Sequence, residues 1–390
     1  MLKKSINDVD IFGKNILLRC DFNVPIKNNI IQNTYRIDQS LRTIKYCIEK
    51  KCKKLRIVSH LGRPNGKYDK NLSLGPISKY ISKKLNINLP LVDLNKILID
   101  KNKYSLIENI RFSSSELETI NNKDLVILLS SDIDIYINDA FGCCHRNQTS
   151  IVSIIAPLKV SGFLLKKEID FLSTKINNSK PPFTAIVGGS KVSDKIKLLK
   201  NLMLKIDHLI IGGGMAFTFL KKIKNIKIGN SLFDKEGYEL VDEIYDFAKK
   251  NNVSIHLPID IVIADNFSNN SNFKTIEGDI SDGWMGLDIG IKSVNYFGEI
   301  INKSKTILWN GPMGVFEFDN FKHGSIGIAE YIKNATNNNA LTIVGGGDTA
   351  SCVINFGYFN NVSHVSTGGG ASLELLEGKI LPGIEVLSDF

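Results

Sequence analysis

Lysine and arginine together number 49, yet only seven of these residues are arginine: Arg19, Arg36, Arg42, Arg56, Arg63, Arg111 and Arg146. All seven fall in the first 146 of 390 residues. Lysine serves wherever a solvated positive charge is enough. A planar guanidinium fork is needed to grip a carboxylate or phosphate with two parallel hydrogen bonds. A chain this sparing of arginine is expected to keep it where the fork matters. Arg19 in NILLRCDFNVP, Arg63 after LRIVSHLG, Arg111 in SLIENIRF and Arg146 after DIYINDAFGCCHR lie in or just beyond apolar runs bounded by Gly, Pro or Asn. Parallel sheets carry their ligand-binding loops at such strand ends. Together with His60 these forks suit a small, multiply charged anion. Arg42 and Arg56 sit in lysine-rich contexts and are expected to be ordinary surface or ion-pair residues.

The second half repeats another pattern, an apolar strand, then two or three glycines, then a helix-like segment. It occurs as TAIVGGSKVSDKI, HLIIGGGMAFTFL, LTIVGGGDTASCV and HVSTGGGASLELL. Glycine lets the backbone approach a ligand closely, and the free N–H groups at the start of the following helix present partial positive charge to phosphate. The spacing is neither GxxxxGK[ST] nor GxGxxG, which excludes a P-loop and an ordinary dinucleotide fold. Protein-kinase HRD and DFG motifs are absent from the sequence. Lys191 and Lys195 stand four apart, so a helix opening at Val192 would bring both ammonium groups near its N-terminus. Asp348, directly after a glycine run, would repel a bare polyphosphate but favour one carrying Mg²⁺; its competing role is a plain helix N-cap.

These residues need strands to end in register and helices to start just beyond them, which is an α/β architecture. The length fits two domains of similar size. Six cysteines form no CxxC pair and no zinc spacing, and Cys143-Cys144-His145 reads as buried thiols whose neighbouring side chains diverge. Asp8 and Asp10 interrupt any apolar leader, and the apolar runs are far shorter than a bilayer span, so a cytoplasmic protein without membrane contact is expected. The net charge of +9 motivates a nucleic-acid reading. Lysine, asparagine and isoleucine crowd the whole chain, however, so a basic surface without a nucleic-acid partner is preferred.

The sequence is similar to the phosphoglycerate kinase family, nearly end to end, through RCDFNVP, SHLGRPNG, ENIRF, INDAFG, GGSKVSDKI, IIGGGMAF, GWMGLDIG, LWNGPMGVFE, VGGGDTA and STGGGASLELLEGKILPG. The resemblance implies two doubly wound, parallel-sheet α/β domains joined by a hinge helix. It implies an N-terminal substrate domain at 1–161, the hinge helix at 162–176, a nucleotide domain at 177–370 and a C-terminal segment at 371–390 returning to the first domain. Carried over by motif, 3-phosphoglycerate would be bound by Asp21, Phe22, Asn23, Arg36, His60, Leu61, Gly62, Arg63, Arg111 and Arg146, with Arg19 in the surrounding basic patch. The nucleotide would meet Lys195 at its phosphates, Leu287 and Pro312 around adenine, Glu317 at the ribose, and Gly212 and Gly213 beside the base. Gly345, Gly346, Gly347 and Thr349 would lie nearby, and Asp348 would hold Mg²⁺. Arg36, Lys191 and the helix start at Gly368, Gly369 and Gly370 would surround the phosphoryl group in flight. The implied protein is a monomer that brings its two half-sites together by domain closure. Around Arg146 the chain reads CCHRNQT, where the family often has small residues and a second histidine. That departure touches the neighbouring patch and leaves Arg146 in place. Another acyl-phosphate or carboxylate kinase is the competing enzyme class.

Overall fold

The computed structural model describes residues 3–117 and 123–390. The chain divides into two units, one of Met1–Asp170 with Ile380–Phe390 and one of Phe171–Lys379. Each is built on a six-stranded parallel sheet.

In the first unit the strands are β1 (Asn15–Arg19), β4 (Lys54–Val58), β5 (Leu91–Val92), β6 (Tyr104–Ile107), β7 (Ile135–Asn138) and β8 (Leu158–Ser161), ordered β5-β6-β4-β1-β7-β8. A short antiparallel hairpin, β2 (Ile26–Lys27) with β3 (Ile30–Ile31), turns on Asn28 and Asn29, both at positive φ as a two-residue hairpin turn requires. Strands such as NILLR and IYIN are buried along their whole length, because helices cover both faces of a parallel sheet. The helix Tyr35–Glu49 shows how one face is covered: Ile37, Ser40, Ile44 and Cys47, at three- and four-residue spacing, are buried together with Thr43 on the same face. The chain moves outward from β1 through β4, then returns to lay β7 on β1's other side. The order reverses between β1 and β7, so a crevice opens at their carboxyl ends, where Asp21 and Asp139 follow.

The second unit repeats the plan with β9 (Phe183–Val187), β10 (His208–Ile211), β11 (Ser254–His256), β15 (Thr306–Asn310), β16 (Leu341–Gly345) and β17 (His364–Val365), ordered β11-β10-β9-β15-β16-β17. Here the reversal lies between β9 and β15. A separate antiparallel sheet pairs β12 (Ile261–Ala264) with β13 (Phe273–Ile276) and β14 (Met285–Ile289). All four glycine runs follow strands β9, β10, β16 and β17 and precede helices, as their repetition in the sequence predicts. No helix among the described residues is long and apolar enough to cross a membrane.

Two segments differ from a plain reading of their spacing. The stretch expected as the hinge helix is α-helical over Phe163–Ile169 and continues as a π-helical turn over Asp170–Lys175. Helical spacing of apolar residues does not distinguish the wider turn from the ordinary one. The C-terminal segment expected from 371 splits: helix Gly370–Leu376 belongs to the second unit, and only Ile380–Phe390 belongs to the first. There the Gly383 N–H donates to Cys144 O at 2.9 Å, and the Lys4 N–H to Ser388 O at 2.9 Å.

Asp139, at the end of β7, fixes where helix Phe163–Ile169 begins. Its Oδ1 accepts the N–H groups of Leu164 at 2.8 Å and Leu165 at 3.2 Å. Gly162 is the residue that allows this approach, since a Cβ there would lie 2.2 Å from Asp139 Oδ1. Burial pushes the Asp139 carboxyl up to about 7, outweighing the hydroxyl of Thr43 and the two amides that favour its charged form. A carboxyl raised in the folded state binds a proton that the unfolded chain releases near pH 4. Its stabilising contribution is therefore present below that pH and declines as pH rises to about 7. Asp139→Asn should abolish this dependence. Across pH 4 to 8 its unfolding free energy should rise relative to wild type by up to about 4 kcal/mol in urea titrations.

Candidate active site

At the carboxyl ends of β1 and β7 the first unit gathers its charged groups. Asp21 Oδ2 accepts from Arg36 Nη1 at 3.1 Å, and Asp21 Oδ1 accepts the Asn23 N–H at 3.1 Å. Burial pushes this carboxyl up, but Arg36 foremost, helped by the Asn23 N–H and Arg19, outweighs it and holds it below the usual range. His60 is buried beside Asp21. Burial, reinforced by Arg19, Arg111 and Arg146, drives its pKa well below the ordinary value against the pull of Asp21, so it is neutral at pH 7. The Asn23 side chain accepts the Gly62 N–H at 2.9 Å, and Gly62 takes a positive φ of 63°. Arg111 is buried, donates to Gly62 O at 2.7 Å and leaves its Nε without a partner. Burial, then Arg19 and Arg146, lowers its pKa to about 10. Arg36 and Arg146 are partly exposed and Arg63 is exposed. A buried N–H without a partner among several guanidinium groups is what an anion-binding surface requires. Leu61 and Phe22 are core residues whose backbone lines this region; the Phe22 N–H donates to Ser59 Oγ at 2.9 Å.

Arg19 adjoins these groups from beneath, against His60. It belongs to no surface patch: its side chain is wholly buried, and Nε donates to Ser150 Oγ at 2.8 Å. Glu116, equally buried, accepts from the Ser150 N–H and hydroxyl and lies 3.9 Å from Arg19 Nη2. This ion pair underlies the anion site. Asp21, His60 and Cys143 have potential ligand atoms within 4.8 Å of one another. Arg19 already supplies the positive charge there, with Nη2 at 3.4 Å from His60 Nδ1 and 4.0 Å from Cys143 Sγ. Cys143 and Cys144 are buried thiols that diverge as expected, though from a 3-10 turn over Phe141–Cys143 rather than an extended segment. Arg56 is also buried, inside β4, where it donates to Ser131 O at 3.2 Å. The exposed Arg42 covers the Phe163 ring at 4.4 Å.

In the second unit the ends of β9 and β15 meet backbone to backbone. A Cβ on Gly188 would lie 2.3 Å from Pro312 O, and Gly311, at φ 113°, would place one 2.4 Å from the Gly188 carbonyl carbon. Beside them opens a mainly apolar cleft of about 480 Å³ whose lining includes Gly213, Phe217, Phe267, Leu287, Pro312 and Val315. A flat, apolar slot beside glycine turns suits a nucleobase. Gly212 backs the cleft, packed so that a Cβ would meet Met313 Sδ at 2.5 Å. Glu317 is exposed beyond its lining.

Lys195 reaches Asn310 Oδ1 at 2.6 Å. Burial lowers its pKa, with Asp348, Glu377 and Asp194 opposing. Helix Ile196–Met203 begins later than Val192. The Ser193 N–H and hydroxyl are both tied to Asp234 Oδ2 at 2.9 Å, and residues 193–195 form a 3-10 turn. Lys191 is exposed ahead of that turn. Gly346, at φ 88°, caps helix Gly347–Asn355, whose first turn exposes Gly347 and Asp348. Thr349 Oγ1 is engaged by the Gly311 N–H at 2.7 Å. Gly369, at φ 52°, caps helix Gly370–Leu376 with Gly368 behind it.

Asn310 was missed from sequence. Its Nδ2 is buried without a partner and faces Gly346, where a Cβ would lie 3.0 Å away. The signal was a polar residue closing the apolar strand TILWN just before Gly-Pro. A buried amide donor, an ammonium group and a capped helix N-terminus converge there, as phosphate requires. Asp348, an exposed carboxylate alongside, fits a metal ion carried on phosphate oxygens.

Fold and site together define a phosphotransferase. The sequence model of the family described as "Phosphoglycerate kinase" matches residues 6–379. Phosphoglycerate kinase of Schistosoma mansoni is 46% identical over 410 aligned positions covering 99% of each chain, and that of Plasmodium falciparum is 46% identical over 411, again covering 99% of each. The solved phosphoglycerate kinase of Coxiella burnetii superposes with a TM-score of 0.88 at 39% identity, covering 98% of both chains. The chain belongs to the phosphoglycerate kinase family.

Removing the Asn310 donor should weaken nucleotide binding and free Lys195 from its partner. Asn310→Ala is expected to lower ADP affinity by about 10- to 100-fold in calorimetry, from the roughly 1–3 kcal/mol that such a donor contributes.

Proposed function

We propose that the chain transfers a phosphoryl group reversibly between 1,3-bisphosphoglycerate with MgADP and 3-phosphoglycerate with MgATP. The observation that carries this reading is the pairing, within one member of this family, of a guanidinium-lined anion site with an apolar base cleft that ends in phosphate-directed donors. Asp21 and Asn23 take the substrate hydroxyl, while Arg63, Arg111, Arg146 and His60 bind its anionic ends. On the nucleotide, Leu287 and Pro312 flank adenine, Glu317 bonds the ribose, and Lys195 with Asn310 binds the phosphates. Asp348 is the carboxylate that would hold Mg²⁺, which supplies charge neutralisation to the phosphate oxygens.

The carboxylate of 3-phosphoglycerate is ionised near neutrality, so attack needs no general base. The transferring group spreads negative charge over three oxygens, and positioning plus fixed positive charge supplies most of the catalysis. Arg36, Lys191 and the N–H groups at Gly368 to Gly370 are assigned that role. Transfer requires donor and acceptor oxygens in contact, so we assign the step to a closed form that holds both ligands and excludes water. We take the protein to act as a cytoplasmic monomer on small molecules alone.

A coupled assay should show ATP consumption dependent on 3-phosphoglycerate; phosphorylation of acetate or carbamate in its place would overturn the assignment. Lys191→Ala should lower kcat by about 10²- to 10³-fold with little change in nucleotide KM, because its charge acts on the group in flight. An equal loss of ground-state binding would remove Lys191 from that role.

A further inference from the structure

At the edge of the second unit's sheet two histidines face each other. His208 opens β10, and His256 closes β11, which is the edge strand. The parallel register sets His208 opposite Ser254 and Ile210 opposite His256. Alternation along a strand therefore puts both imidazoles on one face. Both are half-buried. His208 Nδ1 lies 3.2 Å from His256 Nε2, and the ring centroids are 5.3 Å apart. The other nitrogen of His256, Nδ1, is 2.7 Å from the hydroxyl of Tyr296 on helix Ile291–Lys303.

The hydroxyl of Tyr296 decides which nitrogen of His256 is available. When Nδ1–H donates to that oxygen, Nε2 presents its lone pair to His208. One proton then lies between the two facing nitrogens. A metal ion bonded to both at about 2.0–2.1 Å would subtend roughly 100° across the observed separation, between the octahedral and tetrahedral angles, after a tilt of each ring toward a common point. Neutral imidazole pairs suit Zn²⁺, Cu²⁺ and Ni²⁺, whereas Mg²⁺ prefers oxygen ligands.

We propose that His208 and His256 form a binding site for a divalent transition-metal ion, Zn²⁺ above all, oriented by Tyr296 and completed by water. On binding, the proton on His208 Nδ1 leaves to solvent while one is taken up from solvent at Nε2 of the same ring, so both rings coordinate the ion as neutral imidazoles. The ion clips edge strand β11 to β10. Along the strand His208 lies about 13 Å from Gly212 and His256, level with Ile210, about 7 Å, at roughly 3.3 Å per residue.

Titration of the full chain with ZnCl₂ in a calorimeter tests the site. Wild type should bind one equivalent more than His208→Gln or His256→Gln, and His208→Gln should retain its Mg²⁺-dependent turnover. Tyr296→Phe should keep the stoichiometry while weakening that equivalent by about 10-fold or more. With CuSO₄, electron paramagnetic resonance should show coupling to two nitrogens that is lost in His208→Gln. Equal stoichiometry and affinity in wild type and His208→Gln would overturn the proposal, and that variant carries the test alone should His256→Gln fail to fold. Unchanged affinity in Tyr296→Phe would overturn the orienting role of the tyrosine.

Discussion

Strands that run parallel all finish on the same side, and that constraint organises both halves of this molecule. Each crossing helix must begin where a strand ends, so amide donors, loop glycines and strand-terminal side chains collect along one rim of each sheet. Where the order reverses, between β1 and β7 and again between β9 and β15, neighbouring connections leave in opposite directions. The rim opens there into a crevice. The first unit fills it with the charged side chains of Asp21, Arg36 and Arg111 around a neutral His60. The second fills it with bare backbone, and Gly188 and Gly311 touch so closely that neither tolerates a Cβ.

Beneath the charged crevice lies a second electrostatic layer. Arg19 and Glu116 are both fully buried, and Ser150 joins them. Two charges removed from water gain little net stability from each other, yet breaking such a pair by removing one partner is strongly destabilising. The pair also acts on its neighbours: the fixed charge of Arg19 helps keep His60 neutral and Asp21 ionised. Arg19 thus contributes to the protonation states of both groups from beneath the crevice.

Much of this was legible in the sequence because it was written in local patterns. Four apolar runs each followed by glycines appear as four strand-to-helix turns, and arginines at strand ends gather near one crevice. What could not be read depended on contacts between distant residues. Arg19 looks like any strand-terminal arginine, since a strand buried on both faces carries no alternation to show which way a side chain points. The helix after Lys191 starts late because Asp234, 41 positions from Ser193, binds the preceding turn. Asn310 reveals itself only when its amide is seen buried and unpaired beside the glycines from another strand. The π turn at Asp170–Lys175 shares its apolar spacing with an ordinary helix.

Cys143 sits against His60, with Sγ 3.8 Å from Nδ1, a position where a reactive thiol would expose the enzyme to oxidants. Burial, with Asp21 adding to it, pushes this thiol up to about 11 against the pull of Arg19 and two further arginines. At neutral pH only roughly one molecule in ten thousand then carries a thiolate there. Peroxides and electrophiles act on the thiolate, so the residue is chemically quiet despite its setting. The chain accordingly holds a protonated sulfur atom beside His60.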